Sequence, residues 1–562
     1  MAQIIEVDAL VVGAGVGGIY ATYRLANMHM NIQTIDVASD VGGTWYWNRY
    51  PGAMSDTETY LYRYSWDKDD LQTYPWTHHY VYQPEILKYL QHIVKKHDLR
   101  KYMKFNCEMK SATWDDVSHR WHVACSTGEL YHARYLVNSL GLLSKANYPD
   151  IPGLSNFQGS LLHTAKWDDT VQLEGKRVGI IGNGSTGVQI MTAIAPKVGH
   201  LASFQRHPQY SVPSGQGPIA ADYRKKVNED YDNIWGNVWS STVGFGVPES
   251  TRKTMEASPK ERKEAFEEVW SKGNGFRFMF SAFGDLTTDE AANEEACKFI
   301  RGKIDEIVKD PAKASVLKPK ELYARRPLCD SGYYEIFNRD NVDVIDIHAN
   351  PIKQITETGI ELADGKIHDM DILIFATGFD AIEGSYSRVC ITGRDGKTLK
   401  DHWRDGLKAY GSIACSGFPN MFLIAGPQGP FANFAPVIES ETNLIMSLIQ
   451  HAKALDSGRK ATPNGITNGI TNGKTNGTDG TCRTRPAIIE VSEEAEQDWA
   501  DLCDSLVQGS VFLKSPSWIF SRNIPGRKPN TNFYFAGLRP YLEWVNKQIS
   551  AGFPAFAKGW DA

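Results

Sequence analysis

The sequence lacks the cysteine patterns that mark disulfide-rich or metal-binding proteins. Its eight cysteines are scattered, with no Cys-x-x-Cys pair and no Cys/His spacing of a metal site. This distribution suits a reducing compartment, argues against a redox-active disulfide, and leads us to expect no bound metal. The sequence also lacks any apolar run long enough to cross a bilayer, so we expect no membrane partner.

Targeting signals and a strong charge excess are missing as well. The N-terminus has no basic segment leading into an apolar signal region, and the segment from Gly559 to Ala562 carries no lipidation or peroxisomal signal. The net charge of −6 provides no broad surface for nucleic acid, so we expect no nucleic-acid partner. In the absence of such signals we expect a cytoplasmic enzyme, and we separately expect it to be a monomer.

The composition is that of an ordinary globular protein. Apolar residues make up 42% and charged residues 22% of the 562 residues, and this length predicts two or three lobes. One stretch departs from this composition, because Asn, Gly and Thr recur from Asn464 to Thr478. Such a stretch cannot bury enough apolar surface to order itself, which predicts a flexible low-complexity loop over residues 463–482.

Two glycine-rich loops are the strongest motifs in the chain. The first has Gly13, Gly15 and Gly18 after a predicted buried strand, and the second has Gly182, Gly184 and Gly187 in the same arrangement. A helical pattern follows each loop, over Ile19 to Met28 after the first and Val188 to Ile194 after the second, and a second strand follows each helix. In such a unit the glycines allow backbone N–H groups and a helix N-terminus to approach a pyrophosphate. The sequence therefore predicts two nucleotide-binding lobes.

The residues that follow the second strand of each unit have opposite charges. Asp36 lies about twenty residues after the first loop, and Arg206 lies at the matching distance after the second. A carboxylate accepts a hydrogen bond from a ribose 2′-hydroxyl, whereas an arginine suits a 2′-phosphate. The first loop therefore predicts an FAD site, and the second predicts an NADPH site.

The predicted fold class is α/β, with two Rossmann-like dinucleotide-binding domains, one for FAD and one for NADP. We expect the FAD-binding domain over residues 1–142 and 379–562 and the NADP-binding domain over residues 150–210 and 325–378. Charged and aromatic residues mix at helical spacing between about Ser214 and Lys320. This texture predicts a helical insertion in the NADP domain over residues 211–324.

Two further segments resemble the fingerprints of the type I Baeyer–Villiger monooxygenases. They are FQGSLLHTAKWD from Phe157 to Asp168 and GTWYWNRYPGAMSD from Gly43 to Asp56. The resemblance covers nearly the whole chain, and within the family it is greatest to cyclohexanone monooxygenases, through ARRPLCDSGYY from Ala324 to Tyr334. For His163 in the first fingerprint we favour a hydrogen-bonded residue that fixes a linker, the alternative being a coupling of cofactor binding to domain motion.

The resemblance implies an NADPH- and FAD-dependent monooxygenase whose substrates are a ketone and O₂. NADPH reduces FAD, the reduced flavin takes up O₂ to form a C4a-peroxyflavin, and this species attacks the ketone carbonyl. One oxygen atom is inserted beside the carbonyl, which gives an ester or a lactone, and cyclic ketones are the expected substrates. In this scheme the cofactor performs the chemistry and the protein positions the partners.

The resemblance also implies roles for individual residues. Arg326 is the expected catalytic residue, because an arginine keeps its positive charge and stabilises negative charge on the reacting oxygen atoms. Asp56 is its expected acidic partner and is also expected beside the flavin. The other residues expected at the cofactors are Gly43, Thr44, Trp45, Tyr62, Ser185, Thr186, Gln189, His207, Arg325, Thr377, Gly378 and Trp518. The expected substrate pocket consists of Leu142, Leu143, Phe245, Phe278, Phe431, Ala432, Phe434 and Phe512.

The chain departs from the family pattern at two places. His207 stands where the family usually has a small hydroxyl residue, and Arg325 stands where it usually has lysine, both near the expected 2′-phosphate. Arginine still binds phosphate, so NADPH remains the expected cofactor, with its preference over NADH left open. At the substrate wall, Ala432, Phe434 and Ala435 replace a threonine, a leucine and a proline of the cyclohexanone-oxidising relatives, so cyclohexanone itself is not assumed.

Three other functions share some of these sequence features but fit the chain less well. A flavin monooxygenase that oxygenates nitrogen or sulfur shares both loops but usually lacks the pair of Arg326 and Asp56. A pyridine-nucleotide disulfide reductase is disfavoured by the missing Cys-x-x-Cys. A regulatory protein that only binds nucleotides would have no need of Arg326 and Asp56.

Overall fold

The computed structural model describes residues 3–458, 486–524 and 526–560. The low-complexity loop predicted over residues 463–482 lies outside these ranges. Among the described residues, no helix is both long and apolar enough to span a bilayer.

Strands and helices alternate through much of the chain. The strands of the described residues are β1 (Ile4–Val12), β2 (Ile32–Ile35), β3 (Met103–Lys104), β4 (Met109–Asp115), β5 (Arg120–Cys125), β6 (Leu130–Asn138), β7 (Lys145–Ala146), β8 (Ser160–His163), β9 (Arg177–Ile181), β10 (His200–Gln205), β11 (Ser211–Pro213), β12 (Leu328–Asp330), β13 (Val342–Asp346), β14 (Ile352–Ile355), β15 (Gly359–Leu362), β16 (Ile367–Asp369), β17 (Ile372–Phe375), β18 (Phe379–Asp380), β19 (Cys390–Thr392), β20 (Met421–Leu423), β21 (Gly429–Pro430) and β22 (Phe533–Tyr534). The α-helices of the same residues are α1 (Val16–Asn27), α2 (Thr44–Trp47), α3 (Lys68–Thr73), α4 (Gln83–Lys96), α5 (Ser185–Ile194), α6 (Ala221–Ser240), α7 (Pro259–Lys272), α8 (Gly275–Ser281), α9 (Glu290–Ile307), α10 (Pro311–Leu317), α11 (Glu383–Tyr386), α12 (Leu399–His402), α13 (Phe434–Asp456), α14 (Glu493–Leu506), α15 (Leu538–Ser550) and α16 (Ala557–Trp560).

The first sheet forms around β1, a nearly continuous apolar strand. Its order is β19-β4-β5-β6-β1-β2-β3, with β20 beside β6. β1 pairs in parallel with β2 on one side and β6 on the other, and Ala9, Leu10 and Val11 are fully buried between them. A strand buried on both faces needs helices or further layers on each side, and α1 packs against α13 over this sheet. The first glycine loop therefore lies at the carboxyl edge of a central strand.

The second sheet repeats this arrangement with five parallel strands. Its order is β13-β10-β9-β17-β8, and all four strand pairings are parallel. The second glycine loop follows β9, the central strand, and leads into α5. The structure thus confirms the α/β class with two dinucleotide-binding sheets.

Two short linker strands connect the sheets. β7 follows the first sheet and pairs in antiparallel fashion with β18, which follows the second, through the register of Ala146 with Phe379. The chain therefore crosses between the sheets twice at one place. The domain boundaries at 142, 150, 378 and 379 stay predictions, although both crossings lie at or beside them.

The segment predicted as a helical insertion contains α6 to α10. Local capping explains where two of these helices begin. Ser258 and Glu261 form a capping box at the start of α7, and the Asp289 side chain accepts the Ala292 N–H at the start of α9. The buried faces of α7 to α10 pack around Phe266, Phe278 and neighbouring aromatic residues, which join the core of the second sheet. The helix α6 packs instead on Leu61, Leu71 and Trp76 of the first lobe.

Candidate active site

A cleft of about 1280 Å³ lies between the two sheets and is lined by both glycine loops. It opens at the carboxyl ends of β1 and β9, the position at which parallel sheets bind ligands. Residues from the linkers, from α8 and from the segment before α13 complete its walls. Most of the residues expected at the cofactors and substrate therefore meet in one cavity.

The two glycine loops adopt the same backbone geometry. Gly13 and Gly182 both have a φ of +106°, a value that L-amino acids with a side chain rarely adopt. A Cβ atom at Gly13 would lie 2.2 Å from the Ser139 carbonyl oxygen, and one at Gly182 would lie 2.4 Å from that of Ala376. Each loop can therefore pack against the neighbouring strand only as glycine.

The helix N-termini behind the loops fit a pyrophosphate. No side chain caps α1 or α5, and neither helix has an acidic residue in its first turn. Both ends thus present backbone N–H groups and the positive end of the helix dipole to the cleft. The donor set suits the diphosphate of FAD at α1 and that of NADPH at α5.

The third glycine of each loop does not line the cleft. A Cβ atom at Gly18 would lie 1.8 Å from the Gly13 carbonyl oxygen, and one at Gly187 would lie 2.3 Å from that of Gly182. These glycines therefore allow the helix to approach the loop closely, and the expectation that they contact a cofactor is corrected to a packing role.

The two expected ribose contacts lie in different surroundings. The Asp36 carboxylate is buried and accepts the N–H groups of Ala14 at 2.6 Å and Ala38 at 2.7 Å. Burial raises the pKa of Asp36, and these two hydrogen bonds oppose the rise. Arg206 is exposed and extends from the end of β10 beside the second loop. Both residues line the cleft.

Arg326 and Asp56 form a two-point ion pair in the cleft. The Arg326 Nη2 donates to Asp56 Oδ1 at 2.8 Å, and its Nη1 donates to Oδ2. Nη1 also lies 3.4 Å from Ser185 Oγ in the second loop, and the guanidinium lies 5.3 Å from the ring centre of Phe276. Burial lowers the pKa of Arg326, but the charge and hydrogen bonds of Asp56 outweigh it and raise the pKa overall. Arg326 therefore carries a permanent charge at this point.

The segment that carries Asp56 is held by the second lobe. The Tyr50 hydroxyl donates to Gln189 Oε1 at 2.7 Å, and Gln189 Nε2 donates to the Met54 carbonyl at 3.1 Å. Gly52 has a φ of +82°, and a Cβ atom there would lie 2.6 Å from the Gln189 carbonyl oxygen. The Tyr-Pro-Gly sequence thus lets this segment pack directly on α5, which places Asp56 opposite Arg326.

Two aromatic residues of the first lobe form a further contact at the cleft. The Trp45 Nε1 donates to the Tyr62 hydroxyl at 3.0 Å, and their rings meet edge to face. Burial raises the pKa of Tyr62 to about 12, so its hydroxyl stays protonated. The remaining expected cofactor residues also line the cleft, namely Gly15, Gly43, Thr44, Gly184, Thr186, Gln189, His207, Arg325, Thr377, Gly378 and Trp518.

The apolar wall contains six of the eight expected pocket residues. Leu142, Leu143, Phe245, Phe431, Ala432 and Phe434 line the cleft. Phe278 is fully buried in the core among Phe266, Trp270 and Tyr323, so its placement in the pocket is corrected. Phe512 is also buried and packs behind Phe431, with ring centres 5.5 Å apart. It supports the wall from outside.

Comparisons with known proteins agree with this geometry. Residues 7–203 match the family described as flavin-binding monooxygenase-like. The chain is 46% identical to a cyclohexanone 1,2-monooxygenase from an Acinetobacter species, over 96% of this chain and 94% of the relative. It is 42% identical to the phenazine N-monooxygenase PhzNO1 from Lysobacter antibioticus, over 98% and 96% of the two chains. It also matches the solved structure of cyclohexanone monooxygenase from Rhodococcus sp. Phi1 bound to NADP⁺, with a TM-score of 0.92, 44% identity and 99% of each chain covered.

This chain belongs to the Baeyer–Villiger monooxygenases. It is a flavin-dependent enzyme, and FAD and NADPH are its cofactors. The geometry of the cleft agrees with this membership, because two phosphate loops and a charged pair meet in one cavity.

The fingerprint histidine of this Baeyer–Villiger monooxygenase lies at the linkers. His163 is buried, its Nδ1 accepts the Ala165 N–H at 3.0 Å, and its ring packs 4.7 Å from that of Tyr148. Burial lowers the pKa of His163 to about 4, so it is neutral near pH 7. Its Nε2 lies 3.5 Å from the hydroxyl of Thr377, which in turn donates to the Asn147 carbonyl. These contacts support the reading of His163 as a residue that fixes the linkers.

Sequence reasoning missed several cleft residues of the monooxygenase. Phe276 and Phe280 line the cleft, whereas Phe278 between them does not. Residues four apart share one face of a helix, so the spacing within α8 was a usable signal once that helix was recognised. Ser139 and Leu140, which also line the cleft, directly follow β6 at the carboxyl edge of the first sheet.

Proposed function

We propose that this Baeyer–Villiger monooxygenase inserts one oxygen atom of O₂ beside the carbonyl of a ketone, with cyclic ketones as the substrate class. The products are esters, or lactones when the ketone is cyclic. The observation that carries the proposal is the two-point pair of Arg326 and Asp56 in the cleft between both phosphate loops. The relative named as a cyclohexanone 1,2-monooxygenase, at 46% identity, supports the cyclic class.

The residues of the cleft divide into two cofactor sites. We assign FAD to the α1 N-terminus and Asp36, and NADPH to the α5 N-terminus and Arg206, because a carboxylate suits a free ribose and an arginine suits a 2′-phosphate. When bound, the two cofactors supply the hydride and the activation of O₂ that the reaction needs.

Arg326 has the central role among the protein's own groups. A ketone carbonyl that is attacked by an oxygen nucleophile becomes an oxyanion, and a fixed positive charge lowers the energy of that state. Since its pKa is raised, Arg326 supplies this charge without a proton transfer. Asp56 accepts one hydrogen bond from each Nη group and so orients the guanidinium plane.

The apolar wall has a complementary role. Phe245 and Phe276 stack with ring centres 3.7 Å apart, and Phe431 stacks on Phe535 at 5.0 Å. Rigid aromatic side chains of this kind exclude water, which strengthens the electrostatic effect of Arg326. They also offer an apolar surface that suits a carbon ring, with Phe434 and Ala432 setting the volume beside it.

A second candidate is oxygenation of nitrogen in an aromatic ring. It is favoured by the relative at 42% identity, which is named as a phenazine N-monooxygenase. Nitrogen oxygenation generates no carbonyl oxyanion, so it would have less need of the pair of Arg326 and Asp56. The pair therefore favours the ketone reaction.

One experiment distinguishes the two candidates. The purified enzyme, supplied with FAD, NADPH and O₂, is offered cyclic, linear and aryl ketones alongside phenazine, and the products are identified by mass spectrometry. We expect lactones from the cyclic ketones. Formation of an N-oxide from phenazine, with no ester or lactone from any ketone, would reject the proposal in favour of the second candidate.

We further propose that the enzyme is a monomer in the cytoplasm, where NADPH is supplied. Both proposals rest on the sequence. We also propose that the FAD-binding domain spans residues 1–142 and 379–562 and that the NADP-binding domain spans residues 150–210 and 325–378. Sedimentation of the purified protein over a range of concentrations tests the monomer.

A further inference from the structure

A carboxylate lies among the cationic groups at the NADPH end of the cleft. Glu321 Oε1 is 2.9 Å from His207 Nδ1, and Glu321 Oε2 accepts a hydrogen bond from Arg325 Nη2. His207, Arg325 and Arg206 all line the cleft beyond the second glycine loop. Glu321 thus joins two of the three cationic or potentially cationic groups at the place expected to receive a 2′-phosphate.

The Glu321 carboxylate makes this group of cationic side chains less favourable for an anionic ligand. A phosphate that approaches His207 and Arg325 must displace the Glu321 carboxylate or bind beside it, and two like charges at short range repel each other. A ligand without the 2′-phosphate makes no such demand. The cost of Glu321 therefore falls on the phosphorylated cofactor alone.

We propose that Glu321 is a specificity-determining residue that weakens the preference of this enzyme for the 2′-phosphorylated nicotinamide cofactor. The proposal rests on the proposed function in one respect, namely that the second loop holds NADPH. Glu321 competes with the phosphate for His207 and Arg325 and so narrows the affinity difference between NADP(H) and NAD(H).

The position of Arg325 does not depend on Glu321 alone. Arg325 Nε also donates to Ser515 Oγ at 2.9 Å, on the segment before Trp518. Removing the charge of Glu321 therefore leaves Arg325 anchored, with its Nη2 free to bind an anion. This second anchor makes a Glu321→Gln variant informative.

The His207 imidazole adds a dependence on pH. The groups that face His207 are Glu321, Arg325, Arg206 and His348, whose ring centre is 5.4 Å from its own. Burial lowers the pKa of His207, the Glu321 charge opposes this shift, and the nearby cations reinforce it, so the net shift favours the neutral imidazole. A bound phosphate favours the imidazolium and raises its pKa in the complex. The affinity for phosphorylated ligands therefore rises as the pH falls through the pKa that His207 has in the complex.

The test measures binding to the FAD-loaded enzyme and requires no turnover. Isothermal titration calorimetry gives the dissociation constants of 2′,5′-ADP, which carries the 2′-phosphate, and of 5′-ADP, which lacks it. We expect Glu321→Gln to tighten 2′,5′-ADP by about three- to tenfold and to leave 5′-ADP unchanged. Unchanged binding of both ligands would overturn the proposal. Weaker binding of 2′,5′-ADP would overturn it too, since Glu321 would then be positioning Arg325 for the phosphate.

Two further variants complete the design. Glu294→Gln is the matched control, because Glu294 pairs with Arg301 in the helical segment and does not line the cleft. It should change neither dissociation constant. His207→Gln removes the titrating group, so the ratio of the 2′,5′-ADP and 5′-ADP affinities should vary less between about pH 8.5 and about pH 6.5 than in the wild type. An equal variation in both proteins contradicts the role of His207 and leaves only the phosphate's own titration.

Failure of this proposal is distinguishable from failure of the proposed function. Ketone oxygenation is judged from products, whereas Glu321 is judged from the ratio of two affinities. If the wild type forms lactones and Glu321→Gln leaves that ratio unchanged, only the inference about Glu321 falls. If no ketone is oxygenated and the ratio changes as expected, the cofactor site stands and the substrate assignment falls.

Discussion

Arg326 illustrates how a single residue acquires its role from contacts that lie far apart in the sequence. Asp56, its partner, is 270 residues away, and Ser185 and Phe276 come from two further segments. The bidentate geometry requires a planar guanidinium, which a lysine ammonium cannot reproduce. A permanent charge beside an apolar wall is the feature that the proposed role of Arg326 in oxygenation requires.

Replacing Arg326 should separate the two halves of the reaction. We expect Arg326→Ala to lower the rate of ester or lactone formation by about 100-fold or more, since it removes a preorganised charge. The rate at which NADPH reduces FAD should stay close to that of the wild type. This rate is measured as the loss of flavin absorbance in the absence of O₂. Arg326→Lys should be intermediate, because it keeps the charge but not the two-point contact with Asp56.

The control for this series is Arg177→Ala. Arg177 makes a comparable pair with Asp371, at 2.7 Å on the surface of the second sheet, and it does not line the cleft. Its loss should leave product formation unchanged. Ketone oxidation by Arg326→Ala at an undiminished rate would contradict the role assigned to the charge.

Asp36 gives a second prediction for a single side chain. We expect Asp36→Ala to raise the dissociation constant of FAD by about tenfold or more, because a charged acceptor for the ribose hydroxyl is lost. Asp36→Asn keeps a neutral acceptor and should weaken FAD less. Retention of flavin during ultrafiltration measures both effects. Asp8→Asn is the control, since Asp8 lies in the middle of β1 and accepts the N–H of Asn31, the residue before β2. A loss of FAD equal to that of Asp36→Asn would exclude a specific ribose contact.

Local sequence predicted the βαβ elements well but not their ends. The helices were expected from Ile19 and Val188, and they begin at Val16 and Ser185. Each therefore starts about one turn earlier, directly after the second glycine of its loop. Glycine patterns show where the chain must turn, but the first helical turn has few apolar residues, and its start depends on how the loop packs against the neighbouring strand.

The second glycine loop allows folding and binding to be tested separately. Gly182→Ala should destabilise the protein by about 1–3 kcal/mol, because its Cβ atom would meet the Ala376 carbonyl at a strained φ. Gly184→Ala should leave stability nearly unchanged, since a Cβ atom there meets nothing within 4 Å. It should nevertheless weaken NADP⁺ binding, because its methyl group enters the space that the pyrophosphate needs.

Thermal unfolding and NADP⁺ titration, measured on both variants, check this prediction. The result that would refute it is normal NADP⁺ affinity in Gly184→Ala, because the loop would then not contact the cofactor. A matched pair in the first loop offers no equally clean comparison, since a Cβ atom at Gly15 would lie 3.3 Å from the Gly43 Cα atom.

At the scale of the whole molecule, the sequence predicted the two sheets and most of the cleft but not every wall. The glycine loops, Asp36 and Arg206 follow from local strand and helix patterns, and Arg326 with Asp56 follows from the family resemblance. The assignment of Phe278 to the pocket was wrong, while Phe276 and Phe280 were missed, because the face that α8 turns to the cleft depends on packing with distant segments. Composition alone does not distinguish a core aromatic residue from one that lines a cavity.

The contact between Tyr50 and Gln189 joins the two lobes beside the pair of Arg326 and Asp56. It holds the segment of the first lobe that carries Asp56 against α5 of the second, which follows the second glycine loop. The position of Asp56, and with it the orientation of Arg326, therefore depends on an interface between the lobes. Weakening this interface should lower the fraction of oxidised NADPH that yields ester or lactone, while the binding of either cofactor changes little.

Tyr50→Phe tests this coupling, because it removes only the hydroxyl and keeps the ring. We expect FAD retention and NADP⁺ affinity to stay within about twofold of the wild type, with a stability loss of about 0.5–1.5 kcal/mol. The fraction of oxidised NADPH recovered as ester or lactone should fall, with hydrogen peroxide making up the difference. Tyr541→Phe is the matched control, since its buried hydroxyl donates to the Gly411 carbonyl at 2.8 Å away from the lobe interface. If both variants lose the same fraction of product, the effect reflects stability alone, and the lobe contact has no separate role in positioning Asp56.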